Sequence, residues 1–183
     1  CTWSFNHPQL ESFLTHFQEY VHPNQSLLAK ILMQSDSTSF RAAAAFLLAH
    51  ADITPNELVT LLSPAVRDPE SNVRNASMRV IYYVVRANDN IELDLDLIIE
   101  ALSFPSFTDR NKALVILRSL PLDNLNALQR VRLAPMLLEI LEKKDAHNYR
   151  NAHTVIVKMS GLDLSIDDLE GWRSWVNRTI QLN

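Results

Sequence analysis

Chemistry in this 183-residue chain would have to come from six histidines, two pairs of neighbouring carboxylates, one cysteine and a pair of tryptophans one helical turn apart. His16 and His22 stand six residues apart, and His147 and His153 repeat that spacing. A zinc site needs ligands one helical turn apart and a third ligand nearby. Neither pair has either, so both read as surface residues of helices. Asp94/Asp96 and Asp167/Asp168 sit where acidic residues favour the start of a helix, which accounts for them without general acid–base work. The nucleophile elbow and the phosphate-cradling loop both need closely spaced glycines. The chain has two, Gly161 and Gly171, and contains neither motif. A lone cysteine gives no disulfide framework and no cysteine metal cluster. Trp172 and Trp175 suit a buried helix face better than a stacking platform, because large aromatics mostly serve as core. The sequons at Asn24, Asn75 and Asn177 read as chance, since Asn75 falls inside a helical stretch. The residues therefore point to a non-catalytic protein with no cofactor and no metal.

A different residue carries a pattern. Arg41, Arg74, Arg110 and Arg150 each open a segment of small and then apolar residues, at steps of 33, 36 and 40. Three residues on stand Ala44, Ser77, Ala113 and His153. Six on stand Leu47, Val80, Ile116 and Ile156; seven on, Leu48, Ile81, Leu117 and Val157; ten on, Ala51, Val84, Leu120 and Ser160. Offsets of 3, 6, 7 and 10 share one side of a helix, and a period of 20 to 50 residues marks a repeat array. The last unit, with His153 and Ser160, fits worst, as a terminal repeat should.

Each of these helices has an amphipathic partner just upstream. Leu58, Leu61, Leu62, Ala65 and Val66 fall on one stripe, as do Leu133, Met136, Leu137, Ile140 and Leu141. Leu95, Ile98, Ile99 and Leu102, and the shorter Leu28, Ile31 and Leu32, follow the same spacing. Polar or Pro-containing turns separate the partners. Asp68-Pro69-Glu70 reads as the stop of one helix and the start of the next. The repeating unit is helix A, short turn, helix B. A leading helix over 8–22 (Leu10, Phe13, Leu14, Phe17) and a final helix over 165–182 read as caps, the latter opened by Ser165-Ile166-Asp167-Asp168 as a variant capping box. The expected organisation is a single all-α domain over 1–183 with four helix pairs in 24–160.

The segment Leu61-Leu62-Ser63-Pro64-Ala65-Val66-Arg67-Asp68-Pro69-Glu70-Ser71-Asn72-Val73-Arg74-Asn75-Ala76 resembles a HEAT repeat, with its Leu-rich A helix, Asp-Pro turn and Val-Arg opening the B helix. The likeness extends over roughly residues 24–160 and is strongest in this second unit. The third unit departs from it, with the turn Phe104-Pro105-Ser106-Phe107-Thr108 and Asp109 directly before Arg110. That segment is similar to a bacterial group of HEAT-repeat proteins with no established activity. The resemblance implies a right-handed α-solenoid of about four HEAT-like pairs, capped at both ends, with the B helices lining a concave face. It also implies that the repeated Arg ties its own turn, here Arg41 with Asp36 and Arg74 with Asp68. The Asn that follows (Asn75, Asn111, Asn151) is expected to form a hydrogen-bonded ladder between units.

Facing away from the core columns is a stripe at offsets 1, 5, 8 and 12. It gathers Phe46, Asn75, Arg79, Tyr82, Arg86, Asn111, Val115, Arg118, Val155 and Lys158. Arg and aromatics mixed with apolar residues are the composition of a protein interface. The four B segments hold nine Lys/Arg against three Asp/Glu, whereas the whole chain holds 17 against 21. A mildly basic groove on an acidic body suits an acidic peptide or protein segment.

The expected function is a protein-binding scaffold. The competing expectations are an enzyme on the same array, like the alkylpurine DNA glycosylases or bilin lyases that this fold resembles, and a structural subunit of an envelope assembly. A net charge of −4 disfavours nucleic acid. The chain lacks an apolar run long enough to span a membrane. Cys1 offers the one route to a membrane: mature bacterial lipoproteins begin with a lipidated Cys, and Thr2 to His7 would then be a tether. Cell envelope and cytoplasm are equally expected.

Overall fold

A computed structural model describes residues 8–181, with side chains from Ser12 onward. Cys1, the tether at 2–7 and the Leu10 side chain lie outside the described residues. Regular structure within the described residues is helical: α1 (Pro8–Val21), α2 (Gln25–Gln34), α3 (Thr38–Leu48), α4 (Pro55–Leu62), α5 (Ser71–Ala87), α6 (Leu95–Glu100), α7 (Phe107–Ser119), α8 (Ala127–Glu142), α9 (Tyr149–Ser160) and α10 (Leu169–Gln181). Short 3-10 turns follow α1, α4 and α6.

The helices divide into two compact units, one ending at Leu93 and one starting at Asp94. In the first, α2 packs on α3, α3 on α5, and α4 on α5. In the second, α8 packs on α9, α7 on α9, α6 on α7 and α8, and α10 on α8. Each unit thus contains a pair of B helices in direct contact, α3 with α5 and α7 with α9.

The repeated columns are the core. Ala44, Ser77 and Ala113 are buried, as are Leu48, Ile81 and Leu117, and Val80, Ile116 and Ile156. Small residues at the first column let the neighbouring helix approach. The fourth repeat is the loosest: His153, Val157 and Ser160 are only half-buried. Leu58, Leu62, Ala65 and Val66 from the A side close the first unit, and Leu133, Leu137, Ile140 and Leu141 the second.

Caps explain the helix starts. Thr54 with Glu57, and Asn126 with Gln129, form reciprocal capping boxes, and Asp94 accepts from the N–H groups of Asp96 and Leu97. Two starts and stops differ from the sequence expectation. The α-helical part of α4 ends at Leu62 and continues to Arg67 as a 3-10 turn, because Pro64 has no N–H for the next α-helical bond. The last helix is capped by Asp168 rather than Ser165: the Asp168 Oδ1 accepts from Gly171 N at 2.9 Å, and Ser165 instead folds the preceding loop. Trp172 is fully buried against that loop and donates its Nε1–H to Ser165 O at 2.9 Å. Trp175 meets its ring edge-on.

Candidate functional site

Three of the four repeated arginines do the same mechanical work. Each directs Nη1 at the carbonyls six and five residues back: Arg41 at Ser35 O (2.7 Å) and Asp36 O (3.4 Å), Arg74 at Asp68 O and Pro69 O (both 2.7 Å), and Arg110 at Phe104 O (2.9 Å) and Pro105 O (3.1 Å). These carbonyls lie in turns where no helix supplies a donor, so the guanidinium satisfies them. Arg41 and Arg110 also reach the turn of the following repeat. Arg41 makes a two-pronged pair with Asp68, Nε to Oδ2 at 2.8 Å and Nη2 to Oδ1 at 2.9 Å. Arg110 lies 3.5 Å from Asp145. The expected ties of Arg41 to Asp36 and of Arg74 to Asp68 are made through those residues' backbone carbonyls. Burial works against the Asp68 charge, but the Arg41 guanidinium and the Glu70 N–H outweigh it and hold the carboxyl below the usual Asp range. Asp145 is held low in the same way, burial being outweighed by the Asn148 amide, the His147 N–H and Arg110. Arg150 is exposed and outside this pattern.

With the arginines placed, the outward stripe can be followed along each unit. In the first, α3 and α5 run side by side and leave an open depression of about 380 Å³ between them. Ser39, Ala42 and Phe46 line it from α3, and Asn72, Asn75 and Arg79 from α5, with Thr38 and Ala76 completing the floor. Phe46 is 36% exposed. Arg79 and Asn72 are exposed and Asn75 half-buried, and no hydrogen bond or ion pair engages these three side chains among the described residues. Two amides, each with donor and acceptor, and a guanidinium fork thus surround an apolar ring. Tyr82 and Arg86 follow further along α5, with the Arg86 Nη1 3.4 Å from the Tyr82 hydroxyl.

In the second unit the corresponding side chains are engaged with one another. Asn111 donates to His147 O at 3.1 Å. Arg118 donates to the Asn151 Oδ1 at 3.0 Å, and Lys158 to Arg118 O at 3.2 Å. Val115 is half-buried. Val155, expected on the outward stripe, is fully buried. It is part of the core, because the start of α9 is drawn in on α7: Asn148 is itself buried and donates to Phe107 O at 3.3 Å. A depression of about 330 Å³ does exist in this unit, on the A-helix side near Leu102 and Met136. Its charges are already matched, Arg110 with Asp145 and Lys143 with Glu139.

The described histidines each have a partner of their own. His16 faces Glu19, His22 Nε2 donates to His50 O, His147 stacks on Phe107, and His153 bonds to Leu164 O and meets Trp172 edge-on. No three His, Cys, Asp or Glu side chains among the described residues are grouped to hold a metal ion. No helix among them is long and apolar enough to cross a membrane.

Two residues escaped the sequence reading. Asn72 lines the first-unit groove two positions before Arg74, in a column ahead of the apolar periodicity that follows the Arg. Arg130 is half-buried and donates to four carbonyls, those of Leu125, Met159, Leu122 and Asp123, at 3.1 to 3.3 Å. It fastens the loop after α7 to the end of α9. Comparison with protein-family models, with curated proteins and with solved structures finds no match to this chain.

Proposed function

We propose that this chain is a HEAT-like α-solenoid that works as a non-catalytic protein-binding scaffold, and that the α3–α5 groove holds an acidic segment of the partner. The observation that carries this reading is the set of Asn72, Asn75 and Arg79 around Phe46, polar groups without partners of their own at the edge of an open depression. An Asn amide matches the donor and acceptor of a peptide bond, a guanidinium matches a carboxylate in two-pronged fashion, and an exposed aromatic anchors an apolar side chain. The solenoid reading draws its support from the period of the repeats and from B helix packing on B helix within each unit. The Arg column serves the fold rather than a ligand, which removes Arg41, Arg74 and Arg110 from the basic surface and leaves Arg79 as the cation lining the groove, with Arg86 further along α5.

Affinity capture from native extract, comparing the wild type with Arg79→Glu, tests the reading. Wild type should retain a partner with an acidic segment, and Arg79→Glu should lose it while melting at an unchanged temperature. Equal capture by both proteins would overturn the groove assignment.

A further inference from the structure

Two surfaces of the first unit stand open to solvent. One is the α3–α5 groove, whose lining includes Phe46 and Arg79 and no acidic residue. The other is the outer face of α1. Phe13 and Tyr20, two helical turns apart, are 73% and 64% exposed. Glu19 lies beside them with a side chain 68% exposed. α1 contains Glu11 and Glu19 and neither Lys nor Arg; its one histidine, His16, lies 3.4 Å from the Glu19 carboxylate and meets the Tyr20 ring edge-on, all three side chains remaining exposed. The stripe adjoining it packs on its own chain: Val21 is buried, and the Phe17 ring meets His50 edge-on at 5.2 Å. No described side chain of α1 lines the groove. The chain therefore carries an acidic aromatic helix face and a basic groove with an aromatic wall, complementary in charge and chemistry and not joined to each other.

Resting on the proposed reading of the groove, we infer that a second copy of this chain is an occupant of it, with the Glu19 carboxylate on the Arg79 guanidinium and the Phe13–Tyr20 face against Phe46. A carboxylate on an Arg fork beside packed aromatics is the composition of interface anchors. The donor is already helical in the folded chain, so docking does not require ordering a free peptide, which lowers the entropic cost of association. One donor face and one acceptor groove per chain give a closed two-fold dimer if the exchange is reciprocal and a longer chain if it is not. In both cases the mass in solution rises with concentration.

The test is sedimentation equilibrium of the full chain from low to high micromolar concentration, with Arg79→Glu, Glu19→Arg and the double variant carrying both. Melting temperatures verify that each variant is folded. The wild type should associate, each single variant should weaken association by roughly tenfold or more, and the double variant should restore it, because reversing both charges rebuilds the pair. A wild type that stays monomeric throughout, or association indifferent to both single changes, overturns the inference. A fluorescent acidic peptide selected against the wild type and titrated into these proteins separates the two ideas. If it binds wild type and fails on Arg79→Glu while the wild type remains monomeric, self-docking is wrong and the groove reading stands. If Arg79→Glu changes neither peptide binding nor mass, both are wrong.

Discussion

The α3–α5 and α7–α9 pairs are built from the same columns and finish differently. At offsets −2, +1 and +5 from the repeated Arg, the first unit places Ser39, Ala42, Phe46 and Asn72, Asn75, Arg79; the second places Thr108, Asn111, Val115 and Asn148, Asn151, Val155. In the second unit Thr108 shares a hydrogen bond with Ser106, Asn111 reaches His147 O, Asn148 is buried against Phe107 O, Asn151 accepts from Arg118, and Val155 is core. In the first unit the same columns stand open around a depression. A hydrogen bond already made within the fold has less to give a partner. The columns of α7–α9 are spent on contacts between repeats, whereas those of α3–α5 stay open, which is why the proposed binding site is placed there.

The largest effects should be alike on both sides, because both pairs share one kind of core. Ile81→Ala in the first unit and Ile116→Ala in the second should each cost about 2–5 kcal/mol in denaturant unfolding, since both side chains are fully buried. A loss near zero at either would break the account of that pair's packing. Next come the Arg–Asp ties. Asp68→Asn and Asp145→Asn should each cost roughly 1–3 kcal/mol at neutral pH, the scale of hydrogen bonds to charged groups. Both carboxyls have folded pKa values below the ordinary 3.8. Below that value the unfolded chain binds more protons than the folded one, so their stabilisation is complete above about pH 4 and fades as pH falls through the lowered folded values. Acid titrations of each Asn variant should show a shallower stability loss than wild type in that range; an unchanged acid limb would place the acid sensitivity elsewhere.

The comparison sharpens at smaller energies. Arg118→Glu removes the bond to Asn151 and should cost about 0.5–1.5 kcal/mol. Arg79→Glu, with no partner to lose, should stay within about 0.5 kcal/mol of wild type. Equal costs for the two would mean that Arg79 has a hidden structural role. The smallest change expected is at Ser77, whose buried hydroxyl has no hydrogen-bond partner. Ser77→Ala should leave the melting temperature equal or higher, because it deletes an unsatisfied polar group at constant fold. A clear drop would show that the hydroxyl is engaged.

Much of this was readable in the residues. The core columns follow directly from the helical period, and the Arg column pointed to a structural tie at the turns. The second tie was not readable: that Arg41, besides its own turn, also reaches 27 residues on to the Asp68 carboxylate depends on how the second repeat's turn stacks on the first. Val155 was misplaced for a similar reason. A Val at offset +5 looks like Val115, and only the buried Asn148, pulling the start of α9 onto α7, makes it core. Arg130 looks like any solvent-facing helix cation until the loop carrying the buried Leu122 and Leu125 folds back and presents its carbonyls. Of the four side chains on which the proposed groove rests, Phe46, Asn75 and Arg79 stand on the stripe marked by the helical period, while Asn72 needed the geometry.

The measurement that tests the central claim most directly is a fluorescence-anisotropy titration of one acidic aromatic peptide, selected from a display library against the wild type, into wild type, Arg79→Glu and Arg118→Glu. The account predicts that Arg79→Glu loses binding by at least roughly tenfold and that Arg118→Glu binds like wild type. Loss on Arg118→Glu with retention on Arg79→Glu would contradict it and move the binding surface to α7–α9.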